Sequence, residues 1–187
     1  NAGNIYVTDR QRNDVQKFDS QGTFLGKFGS QGSDPGQLDS PYGIVVDGDG
    51  YIYVVGWSSS HPAQKFEPDF DYVKDIGTYG QSPGQLSQAI GVDLDSTGNI
   101  YISDATGRIN KFDVDGVFDP GFQAEQASAP FEPSGPLSID GSGNIFVASG
   151  IGAGVVKYNS SGEFLGLAGP VGLNFNYGAF AVAVAPD

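Results

Sequence analysis

Four short segments alternate apolar and polar residues with a period of two, which predicts half-buried β-strands. They are residues 15–18, 63–66, 109–112 and 155–158. Each begins 11 to 13 residues after the glycine of a second recurring segment, Gly-x-Ile-Tyr or Gly-x-Ile-Phe. Those glycines are 47, 48 and 45 residues apart (50−3, 98−50 and 143−98). A fixed period of this length is typical of repeat proteins, whose units bury their apolar faces against their neighbours.

Two further strands complete each predicted unit. A tight turn with Gly, Asn or Asp leads into a third strand, such as 23–28 or 163–167. Those turn residues tolerate the positive φ of hairpin turns. A longer polar loop then leads to a strongly apolar fourth strand, and the loops at 29–38 and 77–86 are nearly identical, both with Pro-Gly-Gln-Leu. We therefore expect each unit to be a four-stranded antiparallel meander.

The chain as a whole is predicted to be all-β. No window of ten residues has apolar positions at helical spacing, and glycine and proline together make 40 of 187 residues (29+11), which argues against helix. Four short strands in every unit are typical of β-propeller blades, which leave only short strand edges exposed. We expect residues 1–187 to form a single propeller domain, with part of a larger ring or assembly as the alternative.

The same motifs resemble those of the NHL-repeat β-propellers. The matching run is Gly-Asn-Ile-Tyr-Val-x-Asp, then Lys-Phe-Asp, Gly-x-Phe-Leu, Pro-Gly-Gln-Leu and Gly-Ile-x-Val-Asp, and it recurs along the whole chain. The resemblance implies four repeats, with Gly-x-Ile-Tyr in the second strand of each blade and Gly-Ile-x-Val-Asp in the innermost. It also implies a composite blade, in which the C-terminal strand 179–184 pairs with residues 5–7 and closes the ring.

Composition narrows the possible partners. The net charge is −13, from 22 acidic and 9 basic residues, so we expect no binding to nucleic acid, which depends on Lys and Arg. The chain has no apolar run of 18 residues, so we expect no membrane span. Cysteine and methionine are absent, which excludes disulfides and leads us to expect a processed or excised chain. The acidic, Gly-, Ser- and Asn-rich composition favours an extracellular or cell-surface protein.

The candidate binding site lies in the loops whose sequences differ between the repeats. In a propeller, the loops between second and third strands and the loops between blades emerge on one face. Exposed aromatic and arginine side chains there suit protein or sugar recognition, whereas the alternative is that the rings pack between blades. The candidates are Trp57, His61, Tyr79, Tyr42, Arg10 and Arg12.

Other polar residues are predicted to be structural. We expect Asp104 and Arg108 to form a partly exposed ion pair across a turn, with Asp9 in the equivalent position of the first unit. The Asp-x-Asp turns at 47–49, 93–95 and 113–115 lack the later ligands of a calcium loop and are expected to shape hairpins, with weak cation binding as the alternative. Related propellers that are amidating lyases use several histidines for a metal, and His61 is the only histidine here. No metal site and no cofactor is therefore expected.

The function favoured by these observations is a non-catalytic binding or assembly scaffold with a protein or glycan partner. A lyase- or hydrolase-like propeller enzyme is one alternative. A self-assembling extracellular structural protein is another, since complementary chain ends can join copies head to tail. The pairing of strand 179–184, within its own chain or with another, distinguishes the last alternative from the first.

Overall fold

The computed structural model describes residues 3–122, 124, 134–149, 154–168 and 182–184. All regular secondary structure in these ranges is β-strand. The first eight strands are β1 (Ile5–Asp9), β2 (Asp14–Phe18), β3 (Phe24–Phe28), β4 (Pro41–Val46), β5 (Ile52–Gly56), β6 (Ala63–Phe66), β7 (Tyr72–Asp75) and β8 (Thr78–Tyr79). The others are β9 (Gln85–Leu86), β10 (Ala89–Leu94), β11 (Ile100–Asp104), β12 (Ile109–Phe112), β13 (Leu137–Ile139), β14 (Ile145–Ala148), β15 (Val155–Tyr158) and β16 (Phe164–Ala168).

Fourteen of these strands form four antiparallel sheets in chain order, and β8 pairs with β9 in parallel. The second and fourth sheets have the expected four strands, in the orders β4-β5-β6-β7 and β13-β14-β15-β16. The first sheet, β1-β2-β3, and the third, β10-β11-β12, have three strands each in the described residues. In the third sheet an isolated bridge between Phe112 and Phe118 stands where the outer strand would be. The all-β prediction and the order of strands within a unit are confirmed.

The sheets pack face to face in sequence, as propeller blades do. Strand β1 contacts β4, β4 contacts β10, and β10 contacts β13, so these strands line one side of the arrangement. We call β4, β10 and β13 the inner strands. Three apolar clusters fill the spaces between successive sheets, and each contains the isoleucine of a Gly-x-Ile segment: Ile52, Ile100 and Ile145, all fully buried.

The composite blade remains a prediction. Strand β1 pairs with β2 and with no other strand among the described residues. Of the expected closing strand, residues 179–181 lie outside the described ranges. Residues 182–184 carry no strand assignment, and the Val184 N–H donates to Ser138 Oγ at 3.2 Å, beside β13.

The antiparallel course of each unit gives the molecule two faces, which we call the loop face and the turn face. The loop face carries the segments 10–13, 57–62 and 105–108, together with the inter-sheet loops 29–40 and 77–88. The turn face carries the tight hairpins. In each of six hairpins one side-chain oxygen accepts the backbone N–H groups two and four residues later, an arrangement that fixes the turn. The accepting residues are Asp19, Asp47, Asp95, Asp113, Asp140 and Asn159.

Candidate functional site

Three of the predicted binding residues come together on the loop face. Arg10 follows β1, Tyr42 is the second residue of β4, and Trp57 follows β5. The Tyr42 and Trp57 rings are stacked, with centroids 5.0 Å apart and planes 25° from parallel. The Arg10 guanidinium carbon lies 3.8 Å from the Tyr42 centroid and 4.9 Å from the Trp57 centroid. We call these three side chains the loop-face stack.

The backbone beneath the stack is held by hydrogen bonds between two sheets. Thr8 of the first sheet donates its hydroxyl to the Tyr42 carbonyl at 2.8 Å, and the Trp57 N–H lies 3.4 Å from the Ser40 carbonyl. Trp57 is nevertheless 37% exposed. Stacking a cation on exposed rings contributes about 0.5–1 kcal/mol, enough to order the side chains without burying them.

Arg10 keeps its hydrogen-bonding capacity. Its guanidinium carries five N–H donors, and within the part of the chain that the structure describes its contacts are those with the two rings. A guanidinium whose plane is fixed on aromatic rings and whose N–H edge is available is suited to an incoming carboxylate or other oxygen acceptor. The stack therefore presents both an apolar surface and a set of hydrogen-bond donors to a binding partner.

His61 is not part of the stack. Its side chain is 14% exposed, and Nδ1 lies 2.8 Å from an Asp75 carboxylate oxygen. Its Nε2 lies 3.0 Å from the Ser33 carbonyl oxygen, to which it donates because a carbonyl only accepts. His61 thus ties loop 29–40 to the second sheet, and its ring is used within the fold.

Tyr79 and Arg12 are exposed elsewhere on the loop face. Tyr79 is 49% exposed and belongs to β8, which pairs in parallel with β9. Arg12 has a loose ion pair with Asp9, with 3.6 Å between Nε and the carboxylate oxygen. The other carboxylate oxygen of Asp9 accepts the N–H groups of Gln11 and Arg12, so Asp9 shapes its loop.

The expected ion pair between Asp104 and Arg108 forms at 2.8 Å, but it is much less exposed than the sequence suggested. The Asp104 side chain is fully buried and that of Arg108 is 21% exposed. Arg108 also reaches the carbonyls of loop 77–88, at Gln81, Ser82 and Gln85. The pair therefore fastens an inter-sheet loop to the third sheet, beyond bridging its own turn.

Sequence reasoning missed the amide side chains that hold the same loops. Gln64 Oε1 accepts the Gly36 N–H at 2.8 Å, and Gln64 Nε2 donates to the Gln37 carbonyl at 2.7 Å. In the next unit Asn110 accepts the Gly84 N–H at 3.1 Å. The signal was present in the sequence, since Gln64 is the second residue of β6 and Asn110 the second residue of β12, the same position of the alternating segment in two units.

The turn face has an acidic cleft of about 470 Å³ between the β4–β5 and β10–β11 hairpins. Burial raises the pKa of Asp93, whose carboxylate accepts the Ile139 and Leu94 N–H groups. Burial, followed by the charge of Asp47, raises the pKa of Tyr53, which donates to Asp47 at 3.2 Å. In the described ranges no three His, Cys, Asp or Glu residues are grouped so as to hold a metal ion. The turn carboxylates are engaged mainly with their own hairpins.

Comparisons with known proteins agree with this geometry at the level of the fold. The β-propeller repeat family SBBP matches residues 25–61, from β3 to the loop that carries Trp57. No curated protein matches the sequence significantly. None of the described segments is a helix that is long and apolar enough to cross a membrane.

Solved structures with a similar fold include two enzymes. Virginiamycin B lyase from Staphylococcus aureus has a TM-score of 0.67 at 12% identity, covering 92% of this chain and 54% of the lyase. A gluconolactonase from Xanthomonas campestris has a TM-score of 0.64 at 19% identity, covering 91% of this chain and 60% of the gluconolactonase. The structure of U3-55K has a TM-score of 0.64 at 13% identity, covering 84% of this chain and 45% of that one. The chain thus spans about half the length of the structures it resembles, and it has β-propeller repeats.

Proposed function

We propose that this chain is a non-catalytic binding module, acting outside the cell, that recognises its partner through the loop-face stack. The observation that carries the proposal is the stacking of Arg10, Tyr42 and Trp57 at the junction of the first two sheets. Such a module matches the NHL-type propeller that the repeat motifs resemble.

The composition of the stack supports a recognition role. Trp, Tyr and Arg are the residue types that contribute most to binding energy at protein interfaces. Here they are held in place before any partner arrives, because Tyr42 lies in a strand and the other two side chains stack on it. Preorganised side chains lose little conformational freedom on binding, so more of the contact energy is available as affinity.

The equivalent position in the third unit lacks this surface. Ala105 follows β11 as Trp57 follows β5, and Ile90 takes the place of Tyr42 in β10. The stack is therefore not needed for a blade to fold. A feature that a neighbouring repeat does without is a candidate for function, as opposed to packing.

A protein partner with an acidic side chain near an apolar one suits the stack best. The guanidinium of Arg10 would receive the carboxylate, and the exposed indole would cover the apolar group. A glycan partner is the other possibility, since sugars also pack on indole rings.

Two parallel screens test the proposal: a random peptide display library and a glycan array, each probed with the wild-type protein and with Trp57→Ala. We expect peptides containing Asp or Glu that bind the wild type and lose at least tenfold in affinity with Trp57→Ala or Arg10→Ala. Trp57 is the only tryptophan, so its fluorescence reports binding directly.

Tyr79→Ala is the matched control, because it removes another exposed aromatic ring from the loop face outside the stack. Its binders should be those of the wild type. Glycans that depend on Trp57 would change the partner class to a carbohydrate. Ligands that bind wild type and Trp57→Ala equally, or an absence of ligands in both screens, would contradict the proposal.

A further inference from the structure

The hairpin at residues 113–117 differs from the other five hairpins of the turn face. Val114 and Val117 are 53% and 62% exposed. In the other five hairpins the residue in the position of Val114 is serine or glycine: Ser20, Gly48, Ser96, Gly141 and Ser160. The residue in the position of Val117 is Thr23, Tyr51, Asn99, Asn144 or Glu163. We call residues 113–117 the valine hairpin.

The turn itself does not need the two valines. Asp113 accepts the N–H groups of Asp115 and Val117, and the other five hairpins make the same two bonds with other residues in these positions. Apolar side chains that stay exposed together in one turn of the folded chain are typical of a contact surface. The valine hairpin is therefore a candidate for contact with another molecule.

A carboxylate accompanies the two valines. Asp115 is exposed, and within the part of the chain that the structure describes its carboxylate has no hydrogen bond or ion pair. Its backbone is held, because its N–H donates to Asp113 and its carbonyl accepts from Lys74 Nζ. The valine hairpin thus presents a carboxylate beside two exposed apolar side chains, which is the combination that the loop-face stack is proposed to recognise.

The charge of the chain is distributed in a way that favours this pairing. Residues 1–28 carry four basic and three acidic side chains, a net charge of +1 (4−3). Residues 29–187 carry five basic and 19 acidic side chains, a net charge of −14 (5−19). Arg10 belongs to the first segment, and so does Arg12, whose side chain is 67% exposed. An acidic hairpin therefore meets the least repulsion at the corner of the molecule that carries the stack.

The two surfaces cannot meet within one chain. The stack lies on the loop face and the valine hairpin on the turn face, at opposite ends of the strands. A strand of four or five residues separates the two faces by roughly 13–17 Å, at about 3.3 Å per residue. A contact between them joins two copies, and it is heterologous because it uses a different surface of each copy.

We propose that the loop-face stack of one copy binds the valine hairpin of a second copy of this chain. This inference rests on the proposed function and names the partner of the stack. Arg10 receives the Asp115 carboxylate, and the exposed part of the Trp57 indole covers Val114 and Val117. Each copy in the assembly uses its stack on one neighbour and its hairpin on the other, so copies join head to tail.

Two variants that each lose one surface test the proposal. Trp57→Ala removes the indole of the stack. The double variant Val114→Ser, Val117→Asn introduces the residues of the hairpin at 95–99, Ser96 and Asn99, so that the turn is preserved. Masses are measured by analytical ultracentrifugation over a range of concentrations at about 0.15 M salt, where a Debye length of about 8 Å screens the repulsion between acidic copies.

We expect the wild type to form species that grow with concentration beyond two chains, and each variant alone to remain at the 19.5 kDa of one chain. An equimolar mixture of the two variants should form a species of 39 kDa (2 × 19.5) and nothing larger. In that mixture the intact hairpin of the Trp57→Ala protein docks on the intact stack of the other protein. No matching pair of surfaces then remains to extend the complex.

Two further variants separate the contact from general effects. Asp115→Asn keeps the turn, whose acceptor is Asp113, and should weaken association by about tenfold or more because Arg10 loses its carboxylate. Leu25→Ser removes another apolar side chain, 52% exposed on β3, and should associate as the wild type does.

Three results would overturn the proposal: a wild-type monomer at every concentration, a mixture of the two variants that stays at 19.5 kDa, or a Val114→Ser, Val117→Asn protein that assembles as the wild type does. The peptide and glycan screens decide the proposed function separately. If ligands that depend on Trp57 are found while the wild type does not self-associate, the stack recognises a different partner and only this inference fails. If neither measurement depends on Trp57, both proposals fail.

Discussion

The first two of the three junctions between successive sheets use the same backbone path and different side chains. Loop 29–40 packs on the second sheet and loop 77–88 on the third, each with Pro-Gly-Gln-Leu. In both loops a glutamine side chain accepts a backbone N–H of its own loop. Gln37 accepts the Asp34 N–H, and Gln85 accepts the Ser82 N–H. The amide side chain of Gln64 in β6 accepts the Gly36 N–H of the first loop, and that of Asn110 in β12 accepts the Gly84 N–H of the second.

The junctions differ at the residue that ends the second strand. Asp104 ends β11, and its carboxylate accepts the Ser87 N–H of the loop and pairs with Arg108. Gly56 ends β5 instead. A Cβ there would lie 2.8 Å from the Ser40 carbonyl oxygen and 2.9 Å from that of Asp39. The glycine therefore lets the loop backbone come close, where the third unit uses a side chain as a bridge.

Gly56, in the position that Asp104 holds in the third unit, explains how the second unit accommodates a different loop. With no carboxylate to neutralise, no arginine is needed, and Pro62 stands at the position of Arg108. His61, one residue earlier, provides the link to its loop through Ser33. The segment 57–60 is then free to carry Trp57. A recognition residue is thus compatible with the repeat because the junction beneath it is fastened by other means.

The largest effect is expected from removing the arginine of the second junction. Arg108→Met leaves the fully buried Asp104 carboxylate without its cation, which should lower the free energy of unfolding by about 3–5 kcal/mol. Urea denaturation followed by circular dichroism measures it. Arg12→Met, in the loose exposed pair with Asp9, is the control and should cost less than about 1 kcal/mol. Equal losses in the two variants would show that the pair does not fasten the loop.

Restoring the repeat's own residue in the first junction should also destabilise the protein. Gly56→Asp places a Cβ against two loop carbonyl oxygens and should cost about 1–3 kcal/mol, although Asp is the residue of the third unit. Gly48→Asp is the control, because a Cβ at Gly48 meets nothing within 4 Å. A Gly56→Asp protein as stable as the wild type would mean that loop 29–40 moves away freely.

Removing the histidine should have a smaller effect than removing the arginine. His61→Ala deletes the contacts to Asp75 and Ser33, at a cost of about 1–2 kcal/mol in unfolding free energy. Limited proteolysis should then cut within 29–40 faster, with cutting in 77–88 unchanged as the internal control. Faster cutting in both loops would show general destabilisation in place of a local junction.

The smallest effect is expected on the turn face, where the two units are alike. Burial alone would raise the pKa of Asp95, but hydrogen bonds from Asn99 and Thr97 outweigh it and lower the pKa below 3.8. A depressed carboxyl pKa contributes stability that is present above the ordinary value and lost as pH falls through the folded-state value.

Asp95→Asn should therefore make the loss of stability less steep as the pH falls below the ordinary carboxyl range, as measured by thermal unfolding. The hairpin itself should persist, because Asn159 accepts the equivalent N–H groups in its own turn. A slope for Asp95→Asn equal to that of the wild type would contradict the assignment.

The sequence by itself determined the all-β fold and the order of strands within a unit. These follow from the alternation of apolar and polar residues, from the turn residues and from a fixed period, all of which can be read directly from the sequence. It also determined that Asp104 and Arg108 would pair, since they lie across one turn. It could not show how deeply that pair is buried, because the covering comes from loop 77–88 of the preceding unit.

Only the tertiary structure decided which loop residues meet. Arg10, Tyr42 and Trp57 are up to 47 residues apart (57−10) and come together because the first two sheets pack face to face. In the same packing His61 lies apart from these three residues and contacts Asp75 and Ser33. The exposure of Ile5 and Val7 was equally invisible, since their sequence is that of buried strands. Burial depends on which sheet packs against that face, and that is a property of the assembled sheets.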